Sequence, residues 1–389
     1  MHSPASLIAA WARSAVVPRG GAFKALQAHD IAAPVVQALL ARAGLDATHI
    51  NAIVVGNALG AGGNPARMLA LHAGLPQACA AYAVDTQCCA GLDAISMGLG
   101  LIASGQAEVV IAGGVEAWSR SPIRMHRPVH PNDEAQAYER PAFAPKPEQD
   151  PDMLLSAARY AAQQGYTRAQ QEAYALQSHQ RALAHQAHLA TEIVSVAGIT
   201  HDAHPRVMDA TRAQRMPVVA RTDAMAAVQA DAFALSALTI SAQADGAAFV
   251  LLVSPSAASR LGIQAKASFV ATASVGSAPN TPLLAAVLAS REALKRAGLA
   301  NASSLQFVEL HDAFAVQGLS FAKGLSIPPE RLNTMGGGIA RGHPIGASAA
   351  IALVRVLADL EREGHSGAHA LAAVAGAGGL GAAAVVVKL

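Results

Sequence analysis

The chain carries one module twice, and that duplication limits its possible folds more than any other feature. The run from Val35 to Leu45 (VVQALLARAGL) is echoed by Leu288 to Leu299 (LASREALKRAGL). Superposing Ala43-Gly44-Leu45 on Ala297-Gly298-Leu299 gives an offset of 254 (297 − 43). The same offset sets the apolar run Ile53-Val54-Val55 on Phe307-Val308-Glu309 and Asn57 on His311, and it brings Cys88 to Gly342, one residue from His343. Two copies of such a unit bury their apolar faces against each other. A cysteine would then meet two histidines at matching ends of two half-sheets. A thiol beside an imidazole is the arrangement of nucleophile and base used in covalent catalysis.

Composition agrees with a large buried core. The 389 residues suffice for two to three domains. Apolar residues make up 52% and charged residues 14%, against about a quarter charged in ordinary domains. So little charge suits a compact α/β enzyme that hides further surface in a homo-oligomer, a dimer or a tetramer. The net charge of +2 argues against nucleic acid or an anionic membrane as partner. Three cysteines, Cys79, Cys88 and Cys89, make no disulfide framework and point to a reducing, cytoplasmic setting. Met1 to Arg13 shows no basic leader or cleavage pattern, so no signal peptide is expected. Gly367 to Val387 lacks Asp, Glu, Lys and Arg and could span a bilayer by length. Its glycines between Gly376 and Gly381 favour strand, turn and strand over a membrane span.

Apolar periodicity predicts helices over 29–43, 66–74 and 92–105, with strands at 52–56 and 108–112. That alternation indicates βαβ units and parallel strands. Composition shifts after Trp118: 121–151 is rich in proline, arginine, histidine and acids and is expected to loop over a site. Helical text with a polar face follows over 153–190, and further helices are predicted at 283–297, 315–324 and 347–363. The organisation expected is an N-terminal half, 1–118, completed by about 239–256; a loop domain, 119–238; and a C-terminal half, 257–389.

The chemistry centres on two turns. Asp85-Thr86-Gln87-Cys88-Cys89-Ala90-Gly91-Leu92 follows an apolar piece and opens a helix. A thiol there would feel the positive helix end, which lowers its pKa, and backbone N–H groups beside it could bind an oxyanion. An isolated cysteine in alanine-rich text is otherwise a small core residue. That describes Cys79, whereas the repeat favours Cys88, ahead of Cys89, as nucleophile. Gly336 to Ser348 is a glycine-rich turn entering a long helix, with His343 fixed by Pro344 and able to take the thiol proton. His311, in Glu309-Leu310-His311-Asp312-Ala313-Phe314, ends a strand. His185-x-x-His188 and His201-x-x-His204 lack acidic or cysteine partners at ligand spacing and read as surface histidines, so no metal is expected. Gly336-Gly337-Gly338 lacks the lysine and hydroxyl of a nucleotide-binding loop.

Taken together, these segments resemble the thiolase family over nearly the whole chain. The matching text is Asn64-Pro65-Ala66-Arg67, Cys88-x-x-Gly91-Leu92, Ala112 to Glu116, Asp245-Gly246-Ala247, His311 to Ala315 and Gly342 to Ser348. The resemblance implies a duplicated five-layered α-β-α-β-α fold with an inserted loop domain that binds coenzyme A. It implies an acyltransferase acting on coenzyme A thioesters, with no permanently bound cofactor. Cys88 would be the acylated nucleophile and His343 its activator, while His311 would stand where asparagine is usual and share an oxyanion hole with His343. The N–H groups of Cys88 and Ala377 would form a second hole; Met153 and Phe314 would line the acyl and pantetheine pocket, and Ser241 would lie near the thioester sulfur. One departure outweighs these matches. The second cysteine of the family would fall at Ala375, or at Ala313 in the sterol-carrier-protein type, and both are alanine. Acyl loading of Cys88 is expected to survive, and Claisen condensation and thiolysis to be impaired. The run before Asp245 is short of the usual glycine and asparagine, and Asp152 stands where many members have histidine.

Overall fold

The computed structural model describes residues 7–389; Met1 to Ser6, part of the stretch read for a leader, lie outside them. The N-terminal half supplies strands β1 (Leu7–Ser14), β2 (Ala52–Gly56), β3 (Ala80–Val84), β4 (Val109–Ala117) and β5 (Ala244–Val253). The C-terminal half supplies β6 (Ala267–Gly276), β7 (Leu305–His311), β8 (His369–Gly376) and β9 (Leu380–Lys388). They hydrogen-bond in the order β7-β8-β9-β6-β1-β5-β4-β2-β3. The order shows the repeat: β6, β7, β8 and β9 occupy the places of β1, β2, β4 and β5. In the sheet, β1 and β6 join the halves through two residue pairs, Leu7 with Ser268 and Ile8 with Ala267. Among the described residues no named strand matches β3 in the second half; a single bridge from Val308 to Leu332 stands in its place.

Strands are parallel where a helix crosses between them, β2 with β3 and β4, and β7 with β8. The other pairings among these nine strands are antiparallel, so the sheet is mixed. Along β4 and β5 side chains part with a period of two: Val110, Ala112, Val250 and Leu252 face one core, and Val109, Ile111, Phe249 and Leu251 another. Both faces are therefore covered, which explains why these strands read as unbroken apolar runs.

The principal helices are α1 (Ala28–Ala43), α2 (Pro65–His72), α3 (Ala90–Ala103), α4 (Met153–Gln164), α5 (Arg168–Ala184), α6 (Ala285–Arg296), α7 (Ala315–Leu325) and α8 (Ile345–Glu363). α1 and α2 cover the outside of the first half; α6 and α7 cover the second. α3 and α8 lie between the halves and touch strands of both, which gives the five layers. Every residue of α8 from Ile345 to Leu360 is buried, as befits a helix enclosed all round. A Cβ on Gly91 of α3 would come within 2.9 Å of the Ala350 nitrogen, so the middle layer closes only with glycine there. Truncating the fully buried Leu353 to alanine would cost about 2–5 kcal/mol.

The paired RAGL text marks matched helix ends: Gly44 closes α1 at φ 60° and Gly298 follows α6 at φ 70°, a left-handed conformation glycine adopts without Cβ strain. Residues 119–238 contribute α4, α5 and two small hairpin-like sheets. They are tied to the core by buried ion pairs. Arg13 of β1 holds Glu192 and Asp202 at 2.6 and 2.7 Å, and Glu192 also meets Arg355 of α8. The charge-free run near the C-terminus is the β8–β9 pair, and no helix among the described residues is long and apolar enough to cross a membrane.

Candidate active site

Strand β3 ends at Val84, and the chain turns through Gln87–Cys89 into α3. Gln87 adopts φ 55°, rare for a residue with a side chain. Asp85 supports that turn: its Oδ1 accepts the Gln87 backbone N–H at 3.0 Å and the amide Nε2–H at 2.9 Å. The next residue is Cys88. In the other half, Gly342 adopts φ 112° immediately before His343. The backbone N–H of His343 donates to Ala242 O at 2.7 Å, so the short run before β5 fixes the imidazole's base.

Cys88 Sγ and His343 Nε2 lie 3.1 Å apart. His343 Nδ1 is 2.7 Å from Ser348 Oγ, whose own hydroxyl donates to Pro344 O at 2.9 Å. Ser348 must then accept from Nδ1–H, which leaves the Nε2 lone pair facing the thiol. Burial pushes the Cys88 thiol up to about 12, against the N–H groups of Ala377 and Cys88 that hydrogen-bond to the sulfur. Burial also pushes His343 down to about 4. At neutral pH the pair is therefore a thiol and a neutral imidazole. The lowered thiol pKa expected from the helix end is therefore not found; burial raises it instead.

His311 is buried at the end of β7, its ring stacked on His343 with centroids 4.4 Å apart. Its Nε2 has no partner, and burial holds the ring well below the ordinary histidine pKa. Gly338 permits this stack, since a Cβ there would lie 2.7 Å from the ring. The 254 offset that set Asn57 on His311 slips by one before the site: Cys88 and His343 are 255 apart. On that register Asn57 matches Asp312.

A cavity of about 320 Å³ opens on the pair. Its lining includes Cys88, His343, Met153, Ser241, Phe314 and Ala377, so these sequence-derived site residues meet in one place, with His311 directly behind. Ala313 and Ala375 line it too, as methyl groups. Cys88 and His343 are the only titratable side chains in that lining among the described residues. Ser241 Oγ donates to Gly338 O at 2.6 Å. Phe143 of the proline-rich segment joins the lining, and an adjoining chamber of about 460 Å³ contains Arg19, Arg124 and Arg140. Asp152 caps α4, accepting N–H from Leu154 and Leu155. Cys79 and Cys89 are buried and free.

Sequence reading missed Gln87, Trp118, Phe143 and Ser348. For Ser348 the signal was present: four residues after the helix-starting Pro344, it lies one turn along and under the imidazole. Trp118 and Phe143 carried no such pattern. Glu116 was read only as motif; it accepts N–H from Ala58, Leu59 and Gly346 and from the Asn57 amide, tying β4 to the start of α8. Burial pushes it up to about 7.

The sequence and the duplicated fold have close counterparts. The model of the thiolase N-terminal domain matches residues 6–256, and that of the thiolase C-terminal domain matches 263–388. The chain belongs to the thiolase family. It is 34% identical to an acetyl-CoA acetyltransferase of Rhizobium meliloti and 35% identical to one of Shinella zoogloeoides, each alignment covering 100% of both chains. Among solved structures, it matches the acetyl-CoA acetyltransferase of Bacillus anthracis with a TM-score of 0.90 at 27% identity, covering 100% of this chain and 99% of that one. It matches the Acat5 thiolase of Ascaris suum, solved in complex with coenzyme A, with a TM-score of 0.89 at 26% identity, covering 99% and 100%.

Proposed function

We propose that this thiolase-type acyltransferase takes an acyl group from a coenzyme A thioester onto Cys88 and passes it on by a route that needs no second thiol. The observation that carries the reading is the Cys88–His343 pair at 3.1 Å in a cavity whose lining, among the described residues, offers no other acid or base. Cys88 Sγ attacks the thioester carbonyl carbon as its proton passes to His343 Nε2. The carbonyl oxygen takes up negative charge against the N–H groups of Cys88 and Ala377. Collapse expels the coenzyme A sulfur, which regains a proton from His343, and leaves the acyl group as a thioester on Cys88. His311 Nε2, buried and without a partner, is placed behind His343 to serve an enolate or acceptor oxygen. Met153 and Phe314 flank the acyl and pantetheine path, with Ser241 beside the sulfur.

Condensation and thiolysis also need a group that moves a proton at the attacking carbon or leaving sulfur, and alanine at 313 and 375 cannot do so. Such proton transfer contributes about 10²–10⁴ in rate, so these reactions run slowly here. An acceptor that is already nucleophilic, an enolised diketone or an electron-rich phenol, bypasses the defect, as does water. No permanently bound cofactor enters this scheme.

Assembly and setting follow the same reading. β3 ends the sheet, and Met68, Leu71, Tyr82 and Met97 stand exposed on and around it. A bare edge beside apolar side chains favours pairing with a second copy, so the enzyme works as a homo-oligomer. Three free cysteines suit the cytoplasm.

Intact-mass measurement after incubation with acetyl-CoA tests the reading. Wild type should gain an acetyl group, and Cys88→Ala should gain none. No adduct across a range of acyl-CoA lengths would replace the enzyme with a coenzyme A ester-binding subunit that needs a partner.

A further inference from the structure

On the outer face of the N-terminal half, α1 and α2 pack side by side. Three ligating side chains converge between them: His29 and Asp30 in the first turn of α1, and His72, the last residue of α2. His72 Nε2 lies 3.2 Å and His29 Nε2 3.8 Å from the same oxygen, Asp30 Oδ1. The ligand atoms of all three lie within 4.8 Å of one another. The imidazoles meet edge to face with centroids 5.0 Å apart, so neither ring blocks the other's nitrogen. Asp30 is held for this role: its second oxygen accepts the Gln27 N–H at 2.9 Å in the helix-capping box, which turns Oδ1 toward the histidines.

We propose that His29, Asp30 and His72 bind a divalent transition-metal ion, zinc above all, as a clamp between α1 and α2. Two imidazole nitrogens and one carboxylate oxygen are the donor set of zinc or cobalt(II), and they disfavour calcium and magnesium, which take oxygen ligands. Tetrahedral zinc at ordinary bond lengths separates its donors by about 3.3 Å. The His72–Asp30 spacing already meets this, and the His29–Asp30 spacing needs only a small side-chain adjustment. Side-chain exposures of 25%, 33% and 49% for His29, Asp30 and His72 leave an entry path and room for water as fourth ligand. The ion would sit between the carbonyl end of α2 and the amino end of α1, whose partial charges oppose each other, so the three side-chain donors and not the helix dipoles supply the attraction. The site is remote from the acyl chemistry and does not depend on it. Its consequence is stability, because an ion bound only by the folded chain stabilises that state by mass action.

Tag-free, chelator-treated protein titrated with zinc by calorimetry, and with cobalt(II) by visible absorption, tests the proposal. One saturable equivalent is expected, with a tetrahedral cobalt spectrum and a thermal midpoint that rises on zinc addition. His72→Ala should weaken zinc by more than about tenfold, the least expected when even an outer partner of a metal site is lost. It should also remove the thermal effect while leaving acyl loading of Cys88 intact. His29→Ala should behave alike, and His185→Ala/His188→Ala should retain the site. Absence of saturable binding, or binding unchanged in both His72→Ala and His29→Ala, overturns the proposal, as does zinc that is lost only on Cys88→Ala.

Discussion

The starts of α3 and α8 hold matching places in the two copies of the module, and they do opposite chemical work. Each is preceded by a residue of positive φ, Gln87 at 55° and Gly342 at 112°, and these too are 255 apart (342 − 87). Each turn then delivers its functional side chain, Cys88 or His343, to the same cavity. Duplication supplies placement, and residue type supplies chemistry. Burial then acts on both and moves them apart, raising the thiol to about 12 and lowering the imidazole to about 4. Desolvation disfavours whichever form is charged, so one environment keeps an acid protonated and its neighbouring base free. The thiol becomes nucleophilic only as its proton leaves for Nε2.

The sharpest way to break this pairing is to remove the base while keeping the nucleophile. His343→Ala should slow acyl loading of Cys88 by about 10²–10⁴, read by stopped-flow or timed intact mass. In wild type the base form of His343 is present above about pH 4 and is lost as pH falls through that value, while the thiol ionises only near 12. Loading should therefore stay level from about pH 6 to 9. A tenfold rise per pH unit across that window would instead reveal an ordinary thiol titrating without its partner.

Ala375 tests the other asymmetry, the cavity wall that offers no second acid or base. Ala375→Cys should raise acetoacetyl-CoA thiolysis, by up to about 10²–10⁴ if the new thiol reaches the proton-transfer position. Wild-type protein already turning over at the rate of that variant would refute the claim that the alanine limits it. A smaller loss, about tenfold to a hundredfold by analogy with outer partners of metal-bound histidines, is expected for Ser348→Ala. There the ring keeps its place but loses the acceptor that holds the proton on Nδ1.

Much of this was readable in the sequence, for a physical reason. Residues 43–45 and 297–299 close matched helices with left-handed glycines, and such punctuation survives in text because few residues tolerate it. The apolar runs at 52–56 and 108–112 pointed to buried strands, the second of which runs on to Ala117, and Cys88, His343, Met153, Ser241, Phe314 and Ala377 line one cavity. What the text hid depends on three dimensions. The charge state of Cys88 follows from burial by distant segments, which a local helix-end argument does not contain. The offset of 254 at Gly44 and Gly298 becomes 255 at Cys88 and His343, a difference of one residue in the length of the two copies that a single matched segment does not reveal. Phe143 reaches the cavity through tertiary folding of a segment without periodicity, and Trp118 by standing directly after β4.

The two left-handed turns give the finest test, because the halves solve one backbone problem with different residues. Gly342 combines φ 112° and ψ 173° with a Cβ position 3.0 Å from the Ala244 methyl and 3.3 Å from Ala242 O. Gly342→Ala should therefore cost about 1–3 kcal/mol and shift His343, lowering both unfolding midpoint and loading rate. Gln87 sits in the milder left-handed region and recovers part of its strain through two hydrogen bonds to Asp85. Gln87→Gly relieves the strain, forfeits the Nε2 bond and loosens the unfolded chain, so opposing contributions should leave stability within about 1 kcal/mol of wild type. Urea unfolding of the two variants measures the difference directly. Equal costs would mean that the turns are interchangeable copies; a large cost at 342 alone would show that the histidine half carries the stricter backbone demand.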